Sequence, residues 1–193
     1  VSCCLHRVDG VDPGGVAPPP HQEIRISGLT AATPVGTTDT TVIAFTGGVV
    51  DLGVIAAATW VTVATTAANG TTFTILESGF YQVLLYIPIL ASWNAGITLN
   101  ATAAQLATIN TEPNANTAYG GAFEVTAPNA YNIPPFHPVI PVTQADVDAG
   151  GGRNVIRCHV TDVTTPGTPP AAGAFVNAAA VTCRILKTGE ITG

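Results

Sequence analysis

From Glu23 onward the chain is a succession of short runs rich in Val, Ile and Thr, each ended by turn chemistry. That rhythm limits the fold more than any other feature of the sequence. EIRIS is followed by the loop GLTAATPVGTTDT, then by TTVIAF, a Gly-Gly turn and VVDLGVI. TWVTVATT and TTFTIL flank Asn69–Gly70, a pair that accepts the positive φ values of a tight hairpin. A Glu-Ser-Gly turn leads into FYQVLLYI, and later runs are AGITLNAT, YGGAFEVTA, PVIPVT, NVIRCHVTDV and AFVNAAAVTCRIL. Runs of this length and spacing predict an all-β sandwich or barrel. Helix is expected at most as a turn or so from Ala101 to Leu106.

Two strands carry information about burial. In FYQVLLYI, Tyr81, Val83, Leu85 and Ile87 share one face, while Phe80, Leu84 and Tyr86 share the other with Gln82 alone polar. Both faces being apolar, this strand is expected to be covered on both sides. In NVIRCHVTDV, Ile156, Cys158 and Val160 alternate with Arg157, His159 and Thr161, so this strand reads as half exposed.

Composition narrows the function. Only 9% of the 193 residues are charged, against roughly a quarter in an ordinary globular domain. A surface so poor in charge is expected to lie against other chains. No Lys or Arg occurs between Ile26 and Gly152, and the net charge is −6. Clustered cations for phosphate are therefore missing, and nucleic acid is not an expected partner. Neither is a membrane, since no apolar run approaches the roughly twenty residues of a spanning helix. Residues 1–22 read as an extended arm, with three consecutive prolines in GVDPGGVAPPPH, and 23–193 as the β domain. VSCCLHRVDG has no apolar centre of the kind a secretory signal carries.

The run TFTILESGFYQVLLYIPI resembles the strand pair of the tumour necrosis factor and complement-type globular head superfamily, which includes collagen-like spore-surface proteins. An apolar strand, a short acidic-Gly turn and Gly-x-Tyr-x-Val are carried here by Phe73, Ile75, Glu77, Gly79, Tyr81 and Val83. AGITLNATAAQL and AFVNAAAVTCRIL are similar to the strand that follows and to the closing strand, so the likeness spans about Thr40 to Leu186. It implies a two-sheet antiparallel jelly roll forming a homotrimer, with Phe80, Gln82, Leu84 and Tyr86 as candidates for the trimer interface. Heads of this kind serve as receptor ligands, recognition heads, spore-surface tips and virion spikes or capsid-decorating proteins, and fold alone does not choose among them. Sparse charge and the Ala/Thr/Gly-rich make-up favour a virion surface protein, for example of a phage, held to a major capsid or other shell protein through the arm. The alternative is a secreted or cell-surface ligand of the same fold.

Catalytic signals are weak. Ser2, Ser27, Ser78 and Ser92 lie outside any Gly-x-Ser-x-Gly elbow, and Gly150–Gly152 lead to Arg153 rather than to a phosphate loop. No enzyme activity and no cofactor are expected. Cys3, Cys4 and His6 lack zinc spacing, and the calcium-loop likeness of Asp146, Asp148 and Gly150 fails at its twelfth position, Arg157. The four cysteines Cys3, Cys4, Cys158 and Cys183 allow three pairings as two disulfides, or stand as free or buried thiols. Trp93, Tyr131, Phe136 and His137 form a possible contact loop, for which loop packing is the plainer account. Asn69-Gly-Thr and Asn100-Ala-Thr match glycosylation acceptors, as chance would also produce in a Thr-rich chain.

Overall fold

The computed structural model describes residues 21–29, 40–66, 70–89, 93–99, 118–119, 131–132, 139–162 and 178–191. Thirteen strands fall within them: β1 (Glu23–Ser27), β2 (Thr40–Val42), β3 (Val50–Asp51), β4 (Val61–Thr66), β5 (Gly70–Ile75), β6 (Gly79–Tyr86) and β7 (Pro88–Ile89). After these come β8 (Trp93–Leu99), β9 (Ala118–Tyr119), β10 (Tyr131–Asn132), β11 (Val139–Val142), β12 (Val155–Asp162) and β13 (Thr182–Gly189). One antiparallel sheet runs β11-β6-β13-β1-β3; a second runs β4-β5-β12-β8-β9, with β2 also on β12, and β7 pairs β10 separately. Each sheet thus joins strands from the beginning, middle and end of the chain, and the result is an all-β, two-sheet antiparallel jelly-roll sandwich.

Alternation explains which faces meet. Ile24, Ile185 and Val83 lie side by side across β1, β13 and β6, as do Ile26, Cys183 and Leu85. All six are buried, and from the second sheet Phe73, Ile97, Ile156 and Cys158 join the same core. Two aromatic contacts fix the depth of packing. Phe45 meets Phe73 edge-on at 6.4 Å, and Trp60 stacks on Tyr81 at 5.9 Å with the rings 16° apart. The sequence motif sits at this centre, with Phe73, Ile75, Gly79, Tyr81 and Val83 all buried.

At Gly79 and Gly70 close approach leaves no room for a side chain. Gly79 faces the bulge in β13 between Lys187 and Gly189, where a Cβ would lie 2.8 Å from the Gly189 carbonyl oxygen. Gly70, with φ +63°, opens β5 opposite Thr66, and a Cβ there would meet the Ile43 carbonyl oxygen at 2.8 Å. The hairpin expected at Asn69–Gly70 is therefore present, and Gly70 supplies its left-handed residue.

Several expected strands are shorter. VVDLGVI keeps only Val50–Asp51 in ladder, and the described part of AFVNAAAVTCRIL, from Ala178, begins with a 3-10 turn at Ala178–Ala180 and pairs from Thr182. A helix also stands where none was expected, at Gln144–Ala149. Thr143 caps it: its hydroxyl accepts from the Asp146 N–H at 3.1 Å, while the Asp146 carboxylate accepts from the Thr143 N–H at 3.2 Å. This capping box, T-x-x-D, is a readable sequence signal. The residues read as a faint calcium loop thus start and end a helix instead: the Thr143 hydroxyl holds the Asp146 carboxyl below its usual range, and Gly150 closes the C-terminus. The segment Ala101 to Leu106 lies outside the described residues.

Replacing Phe73 by Ala should cost about 3–5 kcal/mol, because it deletes a fully buried ring that Phe45 packs against. Tyr81→Phe should cost only about 1 kcal/mol, the loss of one hydrogen bond to the Glu77 carbonyl. Urea unfolding followed by fluorescence distinguishes the two; equal losses would mean that Phe73 is not part of the central packing.

Candidate assembly face and charged cleft

The two faces of β6 differ sharply. Tyr81, Val83, Leu85 and Ile87 are at most 1% exposed, whereas Phe80 is 39% exposed and Gln82, Leu84 and Tyr86 are half-buried. The expectation of cover on both sides is therefore met by the chain itself on one side only. Register extends the open face across the sheet. Val139 and Leu186 flank Gln82, Arg184 lies beside Leu84, and Thr182 beside Tyr86. Beyond β13, Glu23 pairs Leu186 and Arg25 pairs Arg184, and β3 adds Val50 opposite Arg25. Val139 is 50% and Val50 42% exposed. This wall is apolar at both flanks and carries two guanidiniums side by side in its middle. Glu23 answers one of them, accepting hydrogen bonds from Arg184, with its other oxygen 2.7 Å from His21 Nε2. Burial opposes charge on Glu23, but hydrogen bonds from Arg184 and His21 outweigh it and hold the carboxyl below its usual range. Among the described residues Arg25 has no such partner.

At one end of the sandwich lies a second concentration of charge. Lys187, its side chain 8% exposed, stands between Glu77 at 3.2 Å and Glu190 at 2.8 Å. Gln22 donates to Glu77 at 3.1 Å, and the Tyr81 hydroxyl donates to the Glu77 carbonyl at 2.8 Å. A cavity of about 430 Å³ opens here, lined by His21, Gln22, Ile55, Glu77, Lys187 and Glu190 among others. One ammonium is shared by two carboxylates, so the cluster works as a clasp. It ties the end of β13 to the turn before β6 and to the chain entering β1. His21 and Gln22, read as the last residues of an arm, belong to this clasp: their carbonyls accept from Val54 and Lys187 N–H groups at 2.9 and 3.0 Å. Residues 1–20 lie outside the described ones, with Cys3, Cys4, His6 and Ser2.

The reading of β12 as half exposed is wrong. It runs between β8 on one side and β5 and β2 on the other, and its second face is largely dry as well, with His159 buried and Arg157 half-buried. His159 is 4% exposed, and burial pushes its pKa down to about 4. Burial likewise lowers Arg157, which is half-buried. Its neighbour Thr98 is fully buried. The Thr98 hydroxyl, His159 Nδ1 and Trp60 Nε1 find no hydrogen-bond partner among the described residues.

Trp93 opens β8 opposite Asp162, and Tyr131 lies opposite Ile89 in the small β7–β10 pair, in different sheets. Phe136, His137, Ser92, Asn69 and Asn100 lie outside the described residues. Among the described residues no cluster of three or more His, Cys, Asp or Glu side chains is set to hold a metal ion. No described helix is long and apolar enough to cross a membrane.

No protein-family model matches the chain, and no curated protein matches it in sequence. Solved structures do. Murine APRIL at pH 8.0 is similar over 87% of this chain and 99% of that chain, at 9% identity and a TM-score of 0.47. At pH 8.5 the same coverage and identity give 0.45. Eiger TNF from S. frugiperda is similar over 90% of this chain and 96% of its own, at 13% identity and a TM-score of 0.38. At such identities almost every residue differs, and no surface residue is carried over.

The buried imidazole makes stability depend on pH. His159 binds a proton near pH 6.5 when unfolded and only near 4 when folded, so the unfolded chain gains protons first. Its contribution is fully present above pH 6.5 and is lost as pH falls towards 4, about 3 kcal/mol in all. Urea midpoints should therefore drop between pH 7 and 5, and His159→Gln should flatten that slope. An unchanged slope in the variant would show that His159 is not the group responsible.

Proposed function

We propose that this chain is a non-catalytic recognition head that works as a homotrimer, with the outward face of β6 turned towards the neighbouring copies. The observation that carries this reading is the wall of Phe80, Leu84, Tyr86 and Val139 left partly open in a chain with only 9% charge. Apolar surface of that kind gains free energy by burial, and a closed ring of copies supplies it without an unending contact. Gln82 lies in the same row and would need a polar partner across the interface. The buried placement of the Gly79, Tyr81 and Val83 motif supports the resemblance from which trimerisation was expected.

For the setting, a secreted or cell-surface ligand comes first. It needs only a self-associating head and a surface for a receptor. The virion-surface reading needs in addition a shell partner and an attachment device in residues 1–20. Its support is the sequence alone, in its composition, its Pro-rich arm and the want of a readable export signal in VSCCLHRVDG. The two part cleanly in one measurement, the presence or absence of the protein in purified native particles by mass spectrometry.

Light scattering at micromolar concentration should give three times the chain mass, and a clean monomer would overturn the assembly reading. Tyr86→Asp should dissociate the assembly while leaving far-ultraviolet circular dichroism unchanged, because it places a carboxylate in an apolar contact. Deleting residues 1–20, and sparing His21 and Gln22, should leave the trimer and its melting temperature nearly unaltered. Loss of folding on that deletion would place those residues in the core.

A further inference from the structure

Cys158 and Cys183 are buried free thiols whose sulfurs lie 3.7 Å apart. They belong to different sheets. Cys183 is on β13, third of the five strands in β11-β6-β13-β1-β3, and Cys158 is on β12, third in β4-β5-β12-β8-β9. Each therefore points inward from the middle strand of its sheet. Their cross-strand neighbours, Leu85 and Ile26 on one side and Ile97 on the other, are buried too. A disulfide has an S–S separation of about 2.05 Å, so closure asks each sulfur to move by less than about 1 Å. That is within reach of a modest side-chain rotation, with both strands left in register.

We propose that Cys158 and Cys183 are an oxidation site that closes as a single cross-sheet disulfide, stapling the centres of the two sheets, when the chain folds in an oxidising medium. The oxidant is a small-molecule disulfide of the glutathione type. One cysteine, as thiolate, attacks a sulfur of that disulfide; the old S–S bond breaks, a mixed disulfide forms, and one small thiolate leaves. The second cysteine, losing its proton to solvent, attacks the protein sulfur of the mixed disulfide and expels the other small thiolate. Two protein thiols are oxidised by two electrons, and the small disulfide ends as two thiols.

Timing follows from burial. At 0% and 1% exposure neither sulfur can be reached in the folded sandwich. The neighbouring Cys158 thiol and burial both push the Cys183 thiol well above its ordinary value, which further slows attack. Closure therefore belongs to the folding chain or to an opened state. Once made, the bond is shielded from reductant in the same way. A chain folded in a reducing compartment keeps two inert core thiols. The same sequence thus gives two sandwiches of different rigidity, according to where it folds. This inference does not depend on the trimer or on the choice of setting.

Trypsin leaves both cysteines in one peptide, Cys158–Arg184, because no Lys or Arg lies between them. The full chain, refolded in a glutathione redox buffer, is denatured, alkylated with iodoacetamide and digested. The expected peptide carries no alkyl group and is lighter by two hydrogens than its reduced form. Reductant added during unfolding should lower Tm by an amount on the order of 10 °C, given the size of the loop between the two residues. Cys158→Ala should lose that sensitivity, and the peptide map on the unaltered chain decides the matter if that variant does not fold. Alkylation of both cysteines in the oxidised protein, or linkage of either to Cys3 or Cys4, would overturn the proposal.

Discussion

Tyr81 is where the parts of this sandwich are held in one relation. Its ring stacks on Trp60, which closes the core beside the start of β4. The hydroxyl reaches the Glu77 carbonyl, so the turn that launches β6 is tied to the strand it launches. Burial drives the phenol's pKa upward, and it stays a neutral donor at any ordinary pH. In register it lies beside Lys187, which carries the ion pairs of the end clasp. An aromatic body with one polar tip meets all of these demands. The same strand turns its alternate residues to the open wall, so the position of that wall is set from within the core.

Much of this was legible because alternation and turn chemistry act locally. EIRIS, TTFTIL and FYQVLLYI stand as strands close to where Val, Ile and Thr end and Gly begins. The Gly79–Val83 motif could be placed by its resemblance to a known strand pair, and the structure adds the reason for its glycine, the approach of β13. What was missed depends on distant partners. His159 looks solvent-facing in the sequence, since a polar residue between Cys158 and Val160 fits a half-wet strand. Only the folded packing shows that this face of β12 is covered as well, with His159 buried. The helix at Gln144–Ala149 was missed for another reason: its cap, Thr143 to Asp146, was legible, but the acidic residues drew a metal reading first.

For the candidate surfaces the division is similar. The alternate residues Phe80, Gln82, Leu84 and Tyr86 could be assigned to one face from their period of two. Their neighbours Arg184, Arg25 and Val50 could not, because a ladder joining the beginning, middle and end of the chain has no local signature. The clasp of His21, Glu77, Lys187 and Glu190 was invisible for the same cause. His21, Glu77 and the Lys187–Glu190 pair are far apart in sequence and meet only when β13 closes between β1 and β6.

The paired guanidiniums of Arg25 and Arg184 give the open wall a character that its apolar flanks alone would lack. Like charges directly opposite one another cost stability in a ladder, and of these two, among the described residues, only Arg184 has a carboxylate accepting from it. A greasy surface laid over them would strip their water and offer nothing in return. Binding discrimination is a difference between partners, and an unmet charge enlarges that difference by penalising the wrong one. In a chain with so little charge elsewhere, a guanidinium pair on this wall raises the cost of indiscriminate sticking and favours a neighbour that arrives with an acceptor of its own.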